Sequence, residues 1–345
     1  MQGAYIQHLP RDYFGALYAD ASLKLTKGEN VCISVLPGFG LNTFLNFFLR
    51  LAKKDSLFEE VILYDPEVEE KKIVQFVKEK GKKNNKRKLF IIRFFERVKD
   101  KRETLERLNS LRISNPEKLV FLVITDYSGV TDIESHFAKS TAFFSARYYI
   151  YPSDLEGTIK RIRMNEKYYG WKIDEAIHKE IFALSGGIPR FIKHICKNIA
   201  ERGINIENPE TFFGDPAIIF ELDYLTKMTM KLSKKDLQKL ALLNEWGQMK
   251  SKLLDIYFKK YKNRVVEQLY PALSDLEARI VTYFYENKDC VVSIEKLGDL
   301  FEVSGHEFSL WAIYKLISRV KSKLKDNFEI KNVRKRGYML KLARI

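Results

Sequence analysis

One candidate for chemistry is a short glycine loop, Val35-Leu36-Pro37-Gly38-Phe39-Gly40-Leu41-Asn42-Thr43-Phe44, which follows an apolar run and opens an amphipathic one. Strand, glycine turn, helix is the context in which backbone N–H groups at a helix N-terminus cradle phosphate oxygens. Pro37, Gly38, Gly40, Asn42 and Thr43 are the residues placed to do so. A second candidate lies near the C-terminus. Turned through about 100° per residue, Ile313, Ile317, Val320 and Leu324 fall on one stripe, while Trp311, Lys315, Ser318, Arg319 and Ser322 face away from it. Donors on an outward helix face suit the base edges of a major groove, and Lys315 and Arg319 can donate to guanine. Tyr314, Lys321 and Lys323 flank that face, better placed for phosphates, and a basic turn with its tyrosine, Arg334-Lys335-Arg336-Gly337-Tyr338, follows. Elsewhere the histidines, among them His8, His178 and His306, are isolated. Cys32, Cys196 and Cys290 lack metal-ligand spacing, so neither a metal site nor a nucleophilic triad is expected.

The elements that must position these residues fall into two styles. Val31–Val35, Val61–Tyr64, Leu89–Phe94, Leu119–Thr125 and Arg147–Ile150 read as strands, alternating with helical patterns near Thr43–Lys53, Glu67–Lys80 and Arg102–Ile113. Such alternation specifies a parallel sheet covered by helices on both faces. The basic block Lys78–Lys88 reads as a solvated loop. After Pro152 the pattern turns helical, over Asp154–Gly170 and Asp174–Arg202, broken by Ser185-Gly186-Gly187-Ile188-Pro189-Arg190, a turn between two helices. Asn208–Gly214 reads as a linker and Ile218–Leu269 as helical. Leu232-Ser233-Lys234-Lys235-Asp236-Leu237 and Leu273-Ser274-Asp275-Leu276-Glu277 open alike, and Ser274 with Glu277 forms a capping box. Then come helices over Ser274–Glu286, Ile294–Phe301 and Ser309–Lys325, with a short strand at Cys290–Ser293, a loop at Val303–Phe308, and strands at Phe328–Val333 and Tyr338–Leu342.

A net charge of +15 favours a polyanionic partner, nucleic acid first. The sparse, odd cysteine count suits a reducing compartment. Met1 to Arg11 holds no long apolar stretch, and runs such as Phe44–Leu51 are too short to cross a bilayer, so a cytoplasmic protein without a membrane partner is expected.

Two resemblances sharpen these readings. LSDLEARIV, Val292–Leu297, Ile317–Leu324 (ISRVKSKL) and Ile330–Leu340 (IKNVRKRGYML) resemble successive motifs of the response-regulator (OmpR/PhoB-type) winged helix, with Lys335 replacing the first glycine of its wing. That resemblance implies a third helix in the major groove and a hairpin on the minor groove, but no receiver domain precedes it. The loop at Val35–Phe44 resembles the phosphate loop of AAA+/STAND-type ATPases, with Leu41 for the lysine and Asn42 for the magnesium-binding hydroxyl. Leu89–Arg97 (LFIIRFFER) resembles the same family's acidic strand, with Arg93 and Phe94 in place of its acids. Thr125 matches its sensor threonine, and Ser185–Arg190 its lid turn, in which Arg190 would approach a γ-phosphate.

The expected fold is therefore an α/β parallel-sheet P-loop (AAA+-like) domain over residues 1–151 and a helical lid over 152–207. A helical linker over 208–272, open to reading as a degenerate winged helix, and a C-terminal α+β winged helix over 273–345 complete it. The expected function is a transcriptional regulator binding double-stranded DNA, with an ATPase-like domain used for assembly, partner binding or sensing. On this reading the protein is not an enzyme and has no cofactor, weak ATP or ADP binding and self-association or a protein partner through that domain staying open. The alternative is an active ATPase acting on DNA, replication-initiator-like or of the STAND signalling kind.

Overall fold

A computed structural model describes residues 9–81, 87–115, 118–126, 143–303, 309–324 and 328–342. Residues 82–86 of the basic block, the loop at 304–308, His8, His306 and the last residues lie outside them; the described ends of that block are not loop, since 78–81 close a helix and Lys88 opens a strand and is buried. The chain divides into two compact units, Met1–Tyr151 and Pro152–Ile345.

The first unit is built on a five-stranded sheet of β1 (Val31–Val35), β2 (Glu60–Tyr64), β3 (Lys88–Ile92), β4 (Leu119–Thr125) and β5 (Ala146–Ile150), in the order β2-β3-β4-β1-β5. Every pairing is parallel, with Cys32 beside Val123 of β4 and Arg147 of β5, and Ile92 beside the same Val123. β1, β3 and β4 are buried along their whole length, as strands covered on both faces must be. Helices α1 (Gly15–Thr26), α2 (Leu41–Lys54), α3 (Ile73–Gly81) and α4 (Lys101–Ile113) accompany the sheet. Phe44, Phe47 and Phe48 of α2 are fully buried and meet Phe14 and Tyr18 edge to face, fixing α2 behind the glycine loop. A parallel sheet of this order, wrapped by helices, fits a P-loop AAA+ domain. The helix expected from Glu67 begins only at Ile73. Asp65 and Pro66 set a turn instead, in which the Glu67 amide donates to the Asp65 carboxylate at 3.0 Å and the Val68 amide to its carbonyl at 3.1 Å.

The second unit opens with α5 (Leu155–Tyr169), α6 (His178–Ser185) and α7 (Pro189–Arg202). Gly186 and Gly187, at φ 60° and 77°, turn the chain between α6 and α7, and a β-carbon on Gly187 would overlap the Ser153 carbonyl. The turn is clasped by Ser153, whose amide donates to Gly187 at 2.8 Å, and by Ser251, whose hydroxyl donates to Leu184 at 2.7 Å. The expected linker at Asn208–Gly214 is a 3₁₀ turn, Pro209–Gly214, followed by α8 (Pro216–Lys231), α9 (Lys234–Lys239) and α10 (Lys252–Leu269). Ser233 caps a helix of six residues, whereas the similar opening at Ser274 caps one of twelve, α11 (Asp275–Glu286).

α12 (Ile294–Glu302), α13 (Leu310–Lys323) and an antiparallel hairpin of β6 (Phe328–Val333) and β7 (Gly337–Leu342) complete the unit. Ile280, Phe284, Leu297, Ile313, Ile317, Val320, Ile330 and Leu340 share one core, which extends to Met230 of α8 and to Val265 and Val266 of α10. The expected strand at Cys290–Ser293 is reduced to one bridge, Val292 to Tyr338.

Candidate functional site

Sheet order marks one place for a ligand. The chain leaves β1 for the far edge, returns through β3 and β4, and then passes to β5 on the other side of β1. The carboxyl end of β1 is thus the topological switch point, where open parallel sheets bind ligands. The glycine loop sits there. Gly38 and Gly40 adopt φ 81° and 92°, left-handed values that favour glycine, and α2 begins at once with no side chain capping its N-terminus. Pro37, Thr43 and Leu41 are half-buried and Asn42 is exposed.

Facing residues on the other strands differ from the family pattern. Arg93, just beyond β3, lies with its Nε 3.2 Å from the Asp65 carboxylate. Phe94 takes a left-handed φ of 52° and is flanked by two guanidinium carbons, Arg93 at 4.1 Å and Arg97 at 4.6 Å from its ring centre. Glu96 turns back toward the sheet, and its Oε2 accepts from the Asp126 amide, just past β4, at 3.1 Å. Burial first, and the Asp126 charge second, push the Glu96 carboxyl above its ordinary value of 4.5. Thr125 is buried at the end of β4. With Asn42 at the hydroxyl position and a paired guanidinium and a phenyl ring at the acid positions, the family's magnesium ligands are absent, and these positions do not fit that ion. Among the described residues no group of three or more His, Cys, Asp or Glu could hold a metal. Arg190, at the start of α7, is paired with the buried carboxylate of Glu221 on α8.

The second site is the surface of α13 and the hairpin. Ile313, Leu316, Ile317, Val320 and Leu324 are buried to 1% exposure or less, and this inner stripe leaves Trp311, Tyr314, Lys315, Ser318, Arg319, Ser322 and Lys323 on the exposed side. Lys315 folds its ammonium over the Trp311 ring, 3.5 Å from its centre. Half-buried Lys321 stands 5.4 Å from the Tyr338 ring, joining α13 to β7. Arg334, Lys335 and Arg336 are exposed at the hairpin tip, where the Arg336 amide donates to the Val333 carbonyl at 2.9 Å. Lys335 takes φ 61°, so it keeps the left-handed backbone that the missing glycine would have supplied.

Three of the expected contact residues are placed otherwise. Tyr338 is 6% exposed, its ring belonging to the core and its amide bonded to Val292. Gly337 is buried against Val292. Lys323, though exposed in part, donates at 2.5 Å to Glu277, whose side chain is 2% exposed. Glu277 was legible as a cap residue, but nothing in its spacing placed it beneath α13.

No family model matches the chain, and no curated protein matches it. Among solved structures it is similar to the Holliday junction branch migration motor RuvB of Thermotoga maritima, at 14% identity over 94% of this chain and 88% of that one, with a TM-score of 0.41. It is similar also to a Walker-type ATPase of Pyrococcus abyssi (13%, 94% and 92%, TM-score 0.44). A third is the Orc1 protein of Aeropyrum pernix in complex with DNA (14%, 97% and 89%, TM-score 0.46). Two expectations are corrected here, that of a transcriptional regulator and that of a protein without enzymatic activity. The neighbours are described as a motor, an ATPase and a DNA-bound Orc1 protein. Among the described residues no helix is long and apolar enough to cross a membrane.

Proposed function

We propose that this protein is an ATPase of the P-loop fold that acts on duplex DNA, of the replication-initiator-like rather than the signalling kind. One observation carries the enzymatic half: the glycine loop at the end of β1 and the Glu96 carboxylate, bonded to the end of the neighbouring β4, share the carboxyl edge of one sheet. Loop amides and the free N-terminus of α2 would hold the phosphates, with Pro37, Gly38, Gly40, Asn42 and Thr43 as the cradle. Glu96, its affinity for a proton raised by burial, is suited to accept one from an attacking water. No cation stands at Leu41 and Arg93 is paired with Asp65, so positive potential at this edge would come from the loop amides and the dipole of α2. Arg190 is tied to Glu221, and no phosphate contact is assigned to it.

The DNA-acting half rests on the second unit. We read α11 to α13 and the hairpin as a winged helix, in which α13 enters the major groove and the hairpin tip meets the backbone. Trp311, Lys315, Ser318, Arg319 and Ser322 would face bases, while Tyr314, Lys321, Arg334, Lys335 and Arg336 would meet phosphates. The experiment is ATP turnover by the purified chain with duplex DNA present. Wild type should release phosphate with saturable kinetics, and Glu96→Gln should cut kcat by about 10²-fold. Absence of turnover above the protein-free blank, or an unchanged kcat in the variant, overturns the reading.

A further inference from the structure

Glu277 is a carboxylate with almost no access to water, yet it serves three groups from two helices. As the third residue of α11 its Oε2 accepts from the Ser274 amide at 2.8 Å, closing the capping box. The same oxygen accepts from Lys323 of α13 at 2.5 Å. Its other oxygen lies 3.6 Å from Nε of Arg319, one turn earlier on α13. Burial alone would raise this carboxyl. The Lys323 ammonium and the Ser274 amide outweigh it and hold the carboxyl below its ordinary value, so the group stays ionised.

Arg319 differs from Lys323 in one decisive respect. Its side chain is 65% exposed, whereas that of Lys323 is 30% exposed. The carboxylate approaches Arg319 from the Nε side, and among the described residues no other acid engages its guanidinium. The two terminal nitrogens are left at the far end of a side chain that the Glu277 charge draws inward at Nε, across a gap longer than a hydrogen bond. That fork is the group that donates two parallel bonds to O6 and N7 of guanine. A free arginine loses rotamer entropy on adopting that pose, and one already drawn inward has less to lose.

We propose that Glu277 is a positioning residue that presents the Arg319 fork to a guanine in the major groove, while Lys323 serves to hold Glu277. This rests on the reading of α13 as a recognition helix and names the base that it selects. Glu277→Gln suits the test, because glutamine still accepts from the Ser274 amide and so keeps the cap, but drops the charge that draws Arg319.

A preferred duplex is selected from a random pool with the full wild-type chain, and a second duplex is made in which its most discriminated guanine is replaced. Glu277→Gln and Arg319→Ala should each weaken the preferred duplex by about tenfold. Both should change the altered duplex less than about twofold, and the double variant should lose no more than Arg319→Ala alone. Arg319→Lys, which keeps the charge at an exposed position but has no fork, should show the same loss if Glu277→Gln fails to fold. Equal weakening of both duplexes, or additive losses in the double variant, overturns the role of Glu277 and leaves DNA binding standing. Failure of the wild type to bind any duplex overturns the DNA reading itself, and this inference with it.

Discussion

Gly337 is pressed so closely against Val292 that a β-carbon there would overlap the Val292 carbonyl oxygen, and its φ of 128° lies outside what other residues readily adopt. The two residues around this contact exchange backbone bonds: the Val292 amide donates to Tyr338 at 2.7 Å, and the Tyr338 amide to Val292 at 2.9 Å. The contact fixes where the hairpin leaves the body of the second unit. Gly337→Ala should therefore cost about 3 kcal/mol, a strained backbone and a displaced bridge together. Chemical denaturation measures it, and a loss below about 0.5 kcal/mol would mean that the hairpin is not held there.

The tip of the same hairpin tolerates strain of a smaller kind. Lys335 occupies the third position of a four-residue turn with φ 61°, where glycine is the usual choice. Lys335→Gly should stabilise the fold by about 0.5–1 kcal/mol, the left-handed penalty of 1–2 kcal/mol offset by the greater freedom of glycine in the unfolded chain. A destabilised variant would show that the side chain, not the backbone, governs this turn.

Glu96 links stability to the proposed chemistry. Its carboxyl is pushed up from 4.5 by burial and by Asp126, so its contribution to stability is intact in acid and is lost as pH rises through the raised value. Glu96→Gln keeps an acceptor for the Asp126 amide and removes the buried charge. Its melting temperature at pH 7 should exceed that of wild type, while the two converge at pH 4. A variant less stable than wild type at pH 7 would assign Glu96 a structural role.

Lys288 gives a pH dependence at the other end of the scale. Half-buried beyond α11, its ammonium donates to the carbonyls of Met230, at 2.8 Å, and of Leu232, and stands 4.8 Å from the Phe328 ring. Desolvation, only partly offset by Asp289 and Asp236, pushes its pKa down from 10.5 to about 8. The folded state thus gives up its proton first, and stability should rise with pH between about 8 and 10.5, by at most about 3 kcal/mol. Lys288→Met should flatten that rise. Parallel stability profiles for the two proteins from pH 7 to 10 would contradict it.

Much of the architecture was legible because the signals were strong and local. The runs Val31–Val35 and Leu119–Thr125 are strands over just the residues that their apolar patterns mark, since strands buried on both faces carry unbroken hydrophobic sequences. The stripe of Ile313, Ile317, Val320 and Leu324 likewise faces inward. Failures came where tertiary partners decide. Gly15–Thr26 was not read as a helix, because its inner stripe of Tyr18, Ala21, Ser22 and Leu25 includes a serine while apolar Leu23 lies on the outer face, which blurs the pattern. Tyr338 looked like a contact residue because it sits among cations, yet Val292 and the Lys321 ammonium enclose it. Lys323 shares a surface with Arg319, and only the fold reveals that both converge on Glu277. The sequence also shows what the glycine loop lacks, at Leu41 and Asn42, more readily than what Glu96 and Asp126 bring to the same edge.

The claim that this protein acts on duplex DNA through α13 and its hairpin is tested most directly by the salt dependence of binding. The logarithm of the binding constant, plotted against that of salt concentration, has a slope set by the number of phosphates neutralised, about 0.9 for each. For the variant carrying Lys335→Ala and Arg336→Ala the slope should be shallower than wild type by up to about two units. An unchanged slope would mean that the hairpin does not touch DNA, and the account of the second unit would fall.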